Sequence, residues 1–93
     1  MKKESLQPYS HPDYQPPAGE DLAAIMDLLG LSSFDTAQLV GVASGRTVRK
    51  WKAGSAPIPY GVWRLLLLEV FWQSESGDDD LADVVIDALA NRA

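Results

Sequence analysis

A chain of 93 residues and 10.1 kDa, 46% hydrophobic and 23% charged, holds one small globular domain and no second one. It has no cysteine and one histidine, His11, which excludes disulfides, thiolate metal sites, a cysteine nucleophile and a zinc site built on several histidines; no cofactor is expected. The net charge of −5, spread evenly, would repel a polyanion, so the distribution of that charge matters more than its sum.

Residues 1 to 18 carry Pro8, Pro12, Pro16 and Pro17, with Tyr9, His11 and Tyr14 between them. Proline removes backbone donors and disfavours helix in the residue before it. This stretch therefore reads as an extended arm outside the core, either free or laid along the body through its tyrosines. Lys2 and Lys3 give such an arm a route to a polyanion. The start lacks the apolar stretch of a secretion signal, and no apolar run approaches the ~20 residues that span a bilayer, so a cytoplasmic protein without membrane association is expected.

Residues 19 to 93 read as five helices with no strand pattern and no repeat. The first begins near Gly19 or Glu20, where Glu20 and Asp21 suit the positive end of the helix dipole. Leu22, Ile25, Met26 and Leu29 form one apolar stripe, and Gly30 stops the helix. Ser32, with Asp35 three residues on, predicts a capping box at the start of a second helix. Ala37 and Val40 line its inner face, and Gly41 ends it after about two turns. Ser44 is a natural N-cap for a third helix over 45 to 53, with Val48 and Trp51 on its inner face and Gly54 as its stop.

After Pro57-Ile58-Pro59, a fourth helix runs from Tyr60 to Gln73. It is apolar nearly all round, so it must be buried on more than one side, and a second subunit is a candidate for one of them. Trp63, Phe71 and Trp72 read as core or dimer packing rather than as a ligand pocket. Arg64, just inside this helix, faces either a DNA backbone or solvent. A polar loop with Asp78, Asp79 and Asp80 leads into a fifth helix from about Asp79 to Asn91, and the three acids read as a helix-start cluster; the calcium-loop spacing is absent.

The functional signal lies in the third helix. Arg46, Arg49, Lys50 and Lys52 give +4 between Ser44 and Gly54 with no acid among them, while four basic and thirteen acidic residues leave −9 on the rest of the chain. Two short helices joined by a tight turn, the second of them basic, are the outline of a helix-turn-helix, whose second helix fits the major groove of B-DNA. Bulk at Ala37 would push the two helices apart, and Gly41 lets the chain reverse. Trp51 pairs with Val48 toward the core, which makes it a packing residue rather than a base-stacking platform. No nucleophile elbow and no glycine-rich phosphate loop with its lysine is present, so an enzyme is not expected.

Leu31-Ser32, Ala37, Leu39-Val40-Gly41-Val42, Arg46-Thr47-Val48-Arg49-Lys50-Trp51 and Gly54 make the chain resemble the lambda-repressor-like (Cro/Xre-type) helix-turn-helix regulators over residues 20 to 73. Within that family it looks most like small phage or mobile-element regulators. The resemblance implies an all-α, five-helix lambda-repressor-like domain behind the proline-rich arm. It also implies sequence-specific control of a promoter, most simply as a repressor, and a homodimer on double-stranded DNA. Carried onto this sequence, Arg46, Thr47, Arg49 and Lys50 face the groove; Arg46 and Arg49 read bases, and Lys50, Lys52 and Ser33 meet phosphates, with Ser44 at the helix start beside them. Ser33 and Phe34 stand where the family usually has a polar residue, often glutamine. The contrasting expectation is a helical protein-interaction module, such as an antitoxin, with weak DNA binding or none.

Overall fold

The computed structural model describes residues 1–74 and 80–91. Among them the only regular elements are helices: α1 (Gly19–Leu29), α2 (Ser33–Val40), α3 (Gly45–Ala53), α4 (Tyr60–Gln73) and α5 (Leu81–Asn91), preceded by a single 3₁₀ turn at Lys3–Leu6.

The helix ends follow from local chemistry. The Asp21 carboxylate accepts the Ala18 N–H at 2.9 Å ahead of α1. At α2 the capping box is closed both ways: Ser32 Oγ accepts the Asp35 N–H at 3.0 Å, and Asp35 Oδ2 accepts the Ser32 N–H at 3.2 Å. Gly41, at φ +79°, takes the left-handed conformation that closes α2, and its N–H donates to Ala37 O at 3.0 Å. The fifth helix starts two residues later than the sequence suggests, because Asp80 is spent as its cap, accepting the Ala82 N–H at 2.9 Å. Asp78 and Asp79, expected in the helix-start cluster, lie outside the described residues.

α4 is the central pillar and packs against α1, α2 and α5. Trp63, Leu66, Leu67 and Val70 turn inward to meet Leu22, Ile25 and Met26 of α1 and Val85 of α5. α3 sits on α1 and α2. Its contact with α1 is close: a Cβ on Gly19 would strike Lys52 O and lie 2.9 Å from Trp51 O, so only glycine lets the start of α1 rest on the last turn of α3.

The N-terminal segment departs from the extended arm outside the core. Leu6 is 2% exposed and belongs to the core cluster. Trp63 Nε1 donates to Ser5 O at 2.8 Å, and Arg64 Nη1 donates to Leu6 O at 3.1 Å. Arg64 thus ties the segment down and is half-buried rather than simply exposed. Lys2 Nζ donates to Gln15 Oε1 at 3.3 Å. Tyr9, Tyr14 and Tyr60 meet pairwise, with ring centroids 5.2 to 5.6 Å apart, and bind the segment to the first turn of α4. The prolines do block helix here, but they also hold the chain in a fixed path that a few long-range contacts suffice to dock.

α4 is not enclosed on all sides. Leu65, Leu68 and Trp72 are exposed, Trp72 at 84%, and with Gly61 they form one stripe along the outer face of the helix. Trp72 is therefore not a core residue of this chain. Among the described residues no helix is long and apolar enough to cross a membrane.

Candidate nucleic-acid interface

α3 divides its residues by helical phase. Val48 is fully buried and Trp51 is 5% exposed, and together they fix the inner face. At about 100° per residue the opposite face falls on Arg46, Arg49 and Lys50, all of which are exposed. Thr47 and Lys52 lie on the two flanks and are half-buried. The helix is thus pinned by two apolar side chains and turns its cations outward. None of the four cations is paired with a carboxylate among the described residues. An unpaired cationic ridge is available to an external anion without first breaking an internal contact.

The two other sequence-predicted residues sit at the same end of the pair α2–α3. Ser33 opens α2 and is half-buried. Ser44 occupies the N-cap position of α3, with extended backbone, and is exposed; its hydroxyl makes no capping hydrogen bond, contrary to the reading of Ser44 as a capping side chain.

The starts of α2 and α3 touch. A Cβ built on Gly45 would lie 3.1 Å from Phe34 N and 3.2 Å from Ser33 C, tighter than ordinary contact. Arg49 Nη1 lies 3.4 Å from the same point, so the guanidinium folds back along α3 toward this junction. Arg49, Ser33, Ser44 and the first turns of both helices are thereby gathered in one place. The unsatisfied N–H groups at helix starts favour anions there, and the guanidinium adds charge. Arg46 and Lys50 extend the surface along α3. Asp35, the acid nearest in sequence, is engaged in its capping box.

Phe34 is not among the residues that the sequence singles out for contact, yet it is 65% exposed at this junction. Helical phase alone does not find it: on α2 it lies about 160° from the buried Thr36 but only about 60° from the buried Ala37.

Comparison with known proteins fits this arrangement. The chain is 32% identical over 68 residues to a transcriptional repressor protein KorC of Escherichia coli, covering 71% of this chain and 78% of that protein. The chain belongs to the KorC family of transcriptional repressors. A second KorC of Escherichia coli is 35% identical over 52 residues, covering 54% of this chain and 61% of that protein. No family model matches the chain, and no solved structure matches it. Membership of the KorC family makes this a transcriptional regulator of the repressor kind.

Proposed function

We propose that the protein represses transcription by binding double-stranded DNA sequence-specifically, with α2 and α3 acting as a helix-turn-helix of the lambda-repressor-like type and α3 seated in the major groove. The observation that carries this is the unpaired ridge of Arg46, Arg49 and Lys50 on a helix anchored by Val48 and Trp51, in a chain of the KorC repressor family. Arg46 and Arg49 have the planar fork that meets guanine O6 and N7 together. Lys50 and Lys52, together with the hydroxyls of Ser33 and Ser44, suit phosphates, and Thr47 borders the base-reading face.

The protein acts as a homodimer in this reading. The stripe of Gly61, Leu65, Leu68 and Trp72 is apolar and self-complementary in an antiparallel helix pair, and a second copy covers it. Dimer symmetry then puts two α3 helices on half-sites about one helical turn apart. Leu68→Glu should give a folded ~10 kDa species in sedimentation at tens of micromolar, where the parent sediments at twice that mass; a parent that is itself monomeric removes this part of the proposal.

Selection of bound sequences from a random DNA pool tests the reading as a whole. The parent should enrich a two-fold symmetric site, and the Arg46→Ala/Arg49→Ala variant should fold and enrich none. A parent that retains no DNA favours the partner-binding module, for which the exposed Trp72 stripe would then be the docking face.

A further inference from the structure

Phe34 has no packing role that explains it. It is 65% exposed on the first turn of α2, while the inner face of that helix is made by Thr36 and Ala37. Its backbone nitrogen would be only 3.1 Å from a Cβ on Gly45, so the first residue of α3 and the first turn of α2 sit directly against each other. The Arg49 guanidinium reaches back to within 3.4 Å of the same point. The backbone that carries the exposed Phe34 and the Arg49 guanidinium therefore meet at one spot, the start of α3.

We propose that Phe34 is a specificity-determining residue that packs on the 5-methyl group of a thymine beside the base read by Arg49. This rests on the DNA-binding reading above and sharpens it. The edges of the bases in the major groove are polar except for the thymine methyl, so an exposed apolar ring at the groove end of α2 has one apolar partner there. A polar residue in its place could meet a phosphate or a polar base edge, but neither contact selects the methyl group. Phe34 thus makes a reading contact of its own, and the half-site carries a required thymine flanking a guanine.

The test uses the full-length chain and the duplex that it enriches from a random pool, with each thymidine replaced in turn by deoxyuridine, which removes the methyl group and nothing else. The parent should bind about fourfold more weakly at one deoxyuridine position per half-site, the effect of one buried methyl group. Phe34→Ala should bind the unmodified duplex more weakly by a similar factor and lose its sensitivity at that position alone. Phe34→Leu should retain part of both effects. Because Phe34 is exposed, Phe34→Ala should melt with the parent. Indifference of the parent to every deoxyuridine, or an unchanged response in Phe34→Ala, overturns the role of Phe34 while leaving sequence-specific binding in place. A parent that enriches no duplex overturns both.

Discussion

α3 and α4 are neighbours in sequence and opposites in chemistry. α3 buries two side chains, Val48 and Trp51, and leaves its other face to arginine and lysine. α4 buries Trp63, Leu66, Leu67 and Val70 and leaves its other face to Leu65, Leu68 and Trp72. A helix anchored by so little apolar area needs its neighbours to hold it, and α3 has them in α1 and α2. What it gains is a free face whose charge is uncommitted. α4 supplies the core from one face and has hydrophobic surface to spare on the other. One helix is thus suited to an anion and the other to an apolar surface, and the −9 carried outside the α3 segment keeps the anion from the rest of the molecule.

This division of roles is most vulnerable at Trp63. Trp63→Ala removes the largest fully buried side chain and the hydrogen bond to Ser5 O, and should cost about 3–5 kcal/mol in denaturant unfolding. A loss below about 1 kcal/mol would mean that α4 does not organise the core. Arg46→Ala should leave the melting temperature unchanged and weaken binding to the selected duplex by about 1–3 kcal/mol, with relaxed preference at one base pair, read by fluorescence anisotropy. Lys50→Ala should weaken all sequences alike and lower the salt slope by about 0.9 for each phosphate that is no longer neutralised; a change in base preference would mean that Lys50 reads bases instead.

A subtler effect belongs to the docked N-terminal segment. Burial first, then the phenols of Tyr60 and Tyr9, raise the Tyr14 pKa above its ordinary value. The raised value favours the neutral phenol in the folded state. Its contribution is therefore complete below the ordinary tyrosine range, roughly pH 10, and is lost as the pH rises through the higher folded-state value. The parent should lose stability on the alkaline side of that range, and Tyr14→Phe should lose less, in urea unfolding at a series of pH values. Equal alkaline losses would show that Tyr14 is not the group responsible.

Much of the fold was legible in the sequence because its signals are local. Ser32 with Asp35, and the glycines at 30, 41 and 54, mark helix ends by backbone chemistry that acts within a few residues. The division of α3 into a buried and a cationic face follows from helical phase alone. The N-terminal segment was legible only in part: laying it along the body through its tyrosines was one of two readings, and Tyr9 and Tyr14 do pack on Tyr60. The docking of Leu6 and Ser5 against Trp63 and Arg64 was not, because it joins residues more than half the chain apart. The junction of α2 and α3 was half legible: Ser33 and Ser44 stood out as polar residues at helix starts, but the closeness of Gly45 to Phe34 is a tertiary fact. Trp72 illustrates the converse limit, since an apolar run tells how much surface is hydrophobic and not which part the chain itself covers.

The sharpest check on the seating of α3 is protection of guanine N7 from methylation on the selected duplex, because N7 lies in the major groove and is the atom that an arginine fork meets. The parent should protect guanines in both half-sites, and Arg46→Ala and Arg49→Ala should each expose a different one. Guanines equally reactive with and without the protein, or a protection pattern that neither variant alters, would mean that α3 does not read the groove.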